Sequence, residues 1–323
     1  MMRPSRSDQL YEAARMYYED DQTMEAIAGA QGVSRSTVSR MLRDARRCGI
    51  VRITLQPPES SRLEELAERI RRRHHVEVRV IPTAPGQTEG ERLRTVASAG
   101  ARLLEQMLQP GMTVGMAWGT TVGTLVEQLR PRPSSDLRVV QLNGVINTQG
   151  SGLEYVGTML DRVGSLWEAS VHHFPVPTFF EQPEAREALW RERSIRRILE
   201  LQNQVQLAVF GVGAFEADVP SHVYTTDYLD EADWAQLRED GAVGDVCTVM
   251  LRADGSWRDI RINERSTGPT PEALARIPRR LLVAAGPRKA RALGAALRAR
   301  VATHLVVDES TALRMLALHE DRA

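Results

Sequence analysis

The chain has 323 residues, 42% of them hydrophobic, and its 42 basic and 42 acidic side chains leave no formal net charge. That length holds a small domain beside a larger one, and the balance excludes a globally basic nucleic-acid coat while leaving local patches open. No apolar run reaches the ~18 residues a membrane span needs, the basic start "MMRPSRSDQL" lacks the apolar core of a signal peptide, and Cys48 and Cys247 show neither disulfide nor metal spacing, so a reducing cytoplasm is the expected home.

In chain order, residues 8–19 predict a helix with Leu10, Ala13, Ala14 and Tyr17 facing inward. Thr23 caps a second helix, "MEAIAGAQ", ending near Gly32, and Ser34 caps a third, "RSTVSRMLRDARR", ending near Gly49. Ile27, Ala28, Val33, Val38, Met41 and Leu42 fall where two crossing helices would bury them. The pattern is a helix-turn-helix whose third helix enters a DNA major groove. Residues 34–52 carry six arginines against one acid, Asp44. The capping Ser34 with Arg35, Ser36, Thr37, Ser39 and Arg40 lies at the end that meets base edges, while Arg43, Arg46 and Arg47 suit phosphates. An arginine-rich helix can be only a solvated face; the capped turn, the buried stripe and the hydroxyl cluster together point to DNA. Gly29 and Gln31 fit the motif least well. Residues 49–55, "GIVRITL", read as a strand, half of a small wing.

The polar "QPPESS" (56–61) marks a boundary. Beyond it Leu63, Leu66, Ala67 and Ile70 form one helical stripe, with His74 and His75 capping the helix end, and "VEVRVI" (76–81) alternates like a strand. Helix-like and strand-like segments then alternate to the end, the pattern of an α/β domain. "MTVGMAW" is a buried strand, and Gly119, Thr120 and Thr121 begin the next helix, where free N–H groups and the helix dipole favour an anion. Asn143 and Gly144 in "VVQLNG" end another strand, and "QLAVFGVGAF" runs a strand into the glycine turn Gly211–Gly213. Ligands gather beyond the carboxyl ends of strands in such sheets, although each loop alone could be a tight connection.

Among 42 basic residues one, Lys289, is lysine, and it follows the buried strand "RRLLVAAG" at the start of a helix. A compact ammonium where arginine is otherwise universal implies that the planar fork does not fit, and that the lysine is a point charge for a phosphate or hydroxyl. The competing reading is a chance surface residue. Adjacent His172 and His173 point to opposite faces of a strand, so no single metal ion takes both. Trp118 is core or shuts one side of the pocket; Trp167, Trp190, Trp234 and Trp257 are packing.

The stretch "IAGAQGVSRSTVSRMLRDARRCGIVRITL" resembles the head of SorC-type sugar-responsive transcriptional regulators. "GMTVGMAWGTTVGTLVEQL", "VVQLNGVIN", "FGVGAF", "DGAVGDV", "AAGPRKARALGAAL" and "LVVDESTALRML" follow in that family's order, so the resemblance covers nearly the whole chain. It implies a Rossmann-like α/β effector domain, similar to sugar-phosphate isomerases and deaminases, behind a winged-helix-like head. It also implies a ligand-binding Lys289, an acidic contact at Asp245 in "GAVGD", and a tetramer. The expected organisation is a DNA-binding head at 1–56, a linker helix at 57–75, and a sugar-binding and oligomerisation domain at 76–323. The expected partners are double-stranded operator DNA, a sugar, polyol or sugar-phosphate effector, and further copies of the chain as dimer or tetramer, with no cofactor, metal or membrane. Asn143 cannot form a Schiff base with an aldehyde sugar. Two rivals stand beside this reading: an isomerase- or deaminase-like enzyme with an accessory head, and a DNA-binding protein whose body only oligomerises. No second carboxylate motif or partnered histidine supports catalysis.

Overall fold

The computed structural model describes residues 6–53, 61–147, 151–218, 221–225 and 228–320. The chain divides into two units, residues 1–59 and 60–323.

Two side-chain caps shape the first unit. Thr23 accepts from the Ala26 N–H to start helix α2 (Met24–Gln31), and Ser34 accepts from the Thr37 N–H to start α3 (Arg35–Arg47); each cap contributes about 1 kcal/mol. Here α1 is the preceding helix, Arg6–Tyr18. Gly32 closes α2 in the left-handed region at φ 64°, which a side chain would resist. Leu10, Ala13, Ala14 and Met16 of α1 meet Ile27, Val38, Leu42 and Ala45 in one core. Three expectations change in detail. Met16 takes the inward place and Tyr17 packs at the edge. Val33 is exposed, because its N–H turns back to the Ala28 carbonyl and the side chain points away. Residues 49–53 form no wing strand: Gly49 is left-handed, at φ 78°, and the Val51 N–H bonds back to Ala45 of α3, so no extended edge is offered. The remaining two residues of that stretch, 54 and 55, lie outside the described residues.

The second unit begins with α4 (Ser61–His74), whose Leu66 and Ile70 are buried in the same core as the strands that follow, with Ala67 buried beside them, so this helix is part of the body. His75 follows it at φ 55° and donates its N–H to Arg71, so its backbone closes the helix. Seven parallel strands form the main sheet in the order β1-β10-β9-β5-β2-β3-β4. They are β1 (Glu77–Ile81), β2 (Thr113–Met116), β3 (Arg138–Gln141), β4 (Ser170–His172), β5 (Leu207–Phe210), β9 (Arg279–Ala284) and β10 (His304–Asp308). The inner strands β2 and β5 are buried at every position, as parallel strands covered on both faces must be. A second, antiparallel sheet of β6 (Gly213–Ala214), β7 (Ala242–Val246) and β8 (Val249–Arg252) continues beyond the end of β5.

The strand order places the ligand crevice. From β2 the chain moves outward through β3 to β4; it then returns to β5 and moves the other way through β9 to β10. The reversal falls between β2 and β5, and a crevice opens at the carboxyl ends of strands at such a point.

Candidate functional site

In the first unit α3 carries exposed Arg35, Ser36, Arg40, Arg43, Arg46 and Arg47, with Thr37 and Ser39 half-buried. Much of this set already has partners. The Ser34 hydroxyl lies 2.8 Å from that of Ser36 and 2.9 Å from that of Thr37, so Ser34 organises the helix start. Arg35 pairs with Glu25 of α2 at 2.7 Å, Arg47 with Asp44 at 3.1 Å, and Arg46 donates to the Leu42 carbonyl. Arg40 and Arg43 have no ion-pair partner among the described residues, which leaves two forks available to a duplex. Exposed pairs such as Arg35–Glu25 contribute about 0–1 kcal/mol and yield readily to phosphate.

In the second unit four predicted segments meet at the reversal point. Gly119 follows β2 and caps helix α6, which is Thr120–Glu127; the longer helix before β2, Glu89–Met107, is α5. Asn143 follows β3, Gly211 follows β5 and Lys289 follows β9. Gly119, Thr120, Thr121, Asn143, Gly211, Gly213, Asp245 and Lys289 line one cavity of about 40 Å3. Gly119 holds φ 142° with open space where a Cβ would stand, so backbone N–H groups at the start of α6 face the cavity unobstructed.

Lys289 is buried, at 7% exposure, and its Nζ donates to Thr121 Oγ1 at 3.2 Å. It ends the short turn Pro287–Lys289 and precedes the helix Ala290–Arg298. Burial lowers its pKa to about 8, with Asp245 and Glu89 pulling the other way. The chance-surface alternative therefore fails. Asp245 lies on β7 of the small sheet, and burial raises its carboxyl against the opposing pull of Tyr224, the Thr248 N–H and Lys289. Both its oxygens have partners inside the protein: the Tyr224 hydroxyl on one, the Thr248 N–H at 2.8 Å on the other. Asn143 is 1% exposed, and its buried Oδ1 has no hydrogen-bond partner among the described residues. Gln141 anchors this strand end, donating to the Asn143 carbonyl at 2.7 Å and accepting from the Phe174 N–H.

Two glycines have other work than was expected. Gly144 does not line the cavity: a Cβ there would stand 2.2 Å from the Pro177 carbonyl. Its N–H donates to Thr267, and its carbonyl accepts from Trp118 Nε1 and the Thr178 hydroxyl. Trp118 is thus both core and cavity wall. The turn Gly211–Gly213 leads into strand β6 and not into a helix, so it offers no second helix N-terminus. At Gly213 a Cβ would fall 1.9 Å from Asp245 Oδ1, so this glycine makes room for the carboxylate.

Tyr224, Cys247 and Thr248 were not foreseen. Cys247 and Thr248 form the two-residue turn between β7 and β8, at φ 50° and 69°. That geometry normally takes Asn-Gly, and a β-branched residue there is strained. Gly268 permits it, since a Cβ at that position would strike the Cys247 carbonyl, and Ser266 donates to the Thr248 carbonyl at 2.9 Å. His173 lies 3.6 Å from Asp161, and no cluster of metal-ligating side chains exists among the described residues. No helix among them is long and apolar enough to cross a membrane.

A helix-turn-helix unit joined to a doubly wound α/β unit with a polar cavity at its switch point defines a ligand-responsive DNA-binding protein. Residues 59–317 match the family described as "Putative sugar-binding domain". The chain is 29% identical to the Deoxyribonucleoside regulator of Bacillus subtilis (strain 168), over 93% of this chain and 95% of that one. It is 30% identical to Transcriptional regulator LsrR of Klebsiella pneumoniae subsp. pneumoniae, over 94% and 90%. Among solved structures, a domain of a possible sugar-binding transcriptional regulator from Arthrobacter aurescens TC1 aligns with a TM-score of 0.74 at 40% identity, covering 81% of this chain and all of that one. The full-length sorbitol operon regulator SorC from Klebsiella pneumoniae shares the fold over 97% of this chain, at TM-score 0.74 and 22% identity. The chain belongs to this sugar-binding-domain family of transcriptional regulators, and it is a regulator and not an enzyme.

Proposed function

We propose that a phosphorylated sugar or a related polyol occupies the cavity and, by doing so, changes the hold of the helix-turn-helix on operator DNA in the cytoplasm. The observation that carries this reading is Asn143 Oδ1, a buried acceptor without a donor among the described residues. Such atoms are rare in folded proteins and call for an explanation; a ligand hydroxyl beside Lys289 and the start of α6 supplies one. In this reading the ammonium and the α6 N–H groups take the anionic end, while Asn143 and Asp245 read the hydroxyls.

The cavity, at about 40 Å3, is far below the ~300 Å3 or more typical of small-molecule pockets. Its wall includes Ser221 and Val223, and neighbouring Tyr224 holds Asp245. A ligand hydroxyl on Asp245 therefore competes with the Tyr224 phenol, and this wall is the part that yields. The residues up to 56 read DNA, and those beyond 75 bind the effector and assemble the chain as a dimer or tetramer. One helix-turn-helix contacts too little DNA for good specificity, so paired heads on paired half-sites are required. The effector changes operator affinity only by its differential affinity for two arrangements of the assembly, typically ~1–3 kcal/mol.

A thermal-shift screen of sugars, polyols and their phosphates tests the reading, with hits assayed on the DNA upstream of the protein's own gene. A compound that raises Tm and changes operator affinity supports it. No hit among these compounds, or hits without effect on DNA binding, would contradict it.

A further inference from the structure

Lys289 also has a neighbour on the side of the turn that faces α5. Gly286, three residues before it, sits at φ 106°, and a Cβ there would stand 2.9 Å from Glu89 Oε2. The turn and the first residue of α5 approach this closely because no side chain intervenes. Glu89 and Lys289 line the same small recess, separate from the Thr121 face of the lysine. Both parts are held in place: the Gly286 N–H donates to Asp308 at 3.0 Å, and Arg92 grips Glu89.

We infer that Glu89 is a positioning residue for effector capture, acting through Lys289 as the second carboxylate that keeps its ammonium charged. This rests on the reading that Lys289 meets the anionic part of the effector. A buried ammonium tends to shed its proton, and one hydrogen bond to a neutral threonine does little to prevent that. Asp245 has its oxygens committed to Tyr224 and Thr248, and it stands where the ligand must enter. A carboxylate in that place competes with an anionic ligand. Glu89 does not line the ligand cavity, so it favours the charged lysine without occupying the ligand's place. The other charged or titratable groups around the turn are Cys247, which lines the cavity with Lys289, Arg92 beside Glu89, Arg288 paired with Asp218, Tyr224 on Asp245, and Asp308 with the adjacent Glu309 at the end of β10. Of these Asp308 is engaged by the Gly286, Ser310 and Thr311 groups, and Arg92 is the cation that competes for Glu89.

Because Lys289 is the sole lysine, growth on 13C,15N-lysine labels one side chain, and its NMR titration needs no ligand. Glu89→Gln should move the midpoint below the parent's by roughly half a pH unit or more, and Glu89→Asp should restore most of it. Arg92→Met, which keeps the Glu89 carboxylate and removes its competing cation, should move the midpoint up. Equal midpoints in the parent and in either Glu89→Gln or Arg92→Met would overturn the inference. Binding of ribose 5-phosphate to Lys289→Met at parental affinity would instead overturn the reading of the cavity, and the NMR result would still stand.

Discussion

The two units place positive charge in opposite ways. On α3 the arginines are exposed and partly redundant, and several are tied to neighbouring acids or carbonyls. In the α/β unit a single ammonium is buried, with one hydrogen bond and two carboxylates nearby. A polyanionic duplex is recognised by many solvated contacts, each weak and replaceable. A small metabolite is recognised by few desolvated groups, each of which tolerates little change. The difference predicts that substitutions on α3 act in graded fashion, whereas loss of Lys289 acts all at once.

The largest effect concerns the burial of Lys289. Its pKa in the folded protein is about 8, below the ordinary 10.5. Between those values the unfolded chain binds more protons, so unfolding free energy rises with pH across that window. The total is on the order of 3 kcal/mol. Urea unfolding of the parent and of Lys289→Met at pH 7.5 and pH 10 isolates the term; the parent should gain stability relative to the variant at the higher pH. A constant difference would mean that the ammonium is not desolvated.

A smaller effect is expected on the head. Arg40→Ala should cost about 1–3 kcal/mol of discrimination between operator and altered sites and leave ligand-induced melting shifts intact, as competition binding would show. Smaller still, Ser34→Ala removes the cap of α3 and should lower the head's stability by about 1 kcal/mol, read as a lower midpoint in chemical denaturation. If it also abolished the response to ligand, the charge division between the units would be wrong.

Much of this was legible in the chain because it is local. Thr23 and Ser34 cap helices through residues three positions away, and glycine at 32 and 119 marks backbone that other residues resist. Strand-to-helix junctions put Thr121, Asn143 and Lys289 at strand ends, and the order of strands then gathers them. Asp245 was reached by family resemblance, since nothing adjacent in sequence marks it as buried in a cavity. The rest depends on contacts between distant segments. Glu89 looks like the first residue of a capped helix, Tyr224 lies in no motif, and Gly144 and Gly213 carry no sign that carbonyls or a carboxylate fill their Cβ positions. The Cys247–Thr248 turn runs against local preference and is held by Ser266 and Gly268 from another segment.

The most direct test is calorimetric titration of a sugar phosphate that shifts Tm into the parent and into Lys289→Met, with operator affinity measured on both proteins. The account predicts that the variant loses ligand binding at least a hundredfold while binding operator as tightly as the parent without ligand. Retention of ligand affinity, or joint loss of ligand and operator binding in a variant that remains folded, would contradict it.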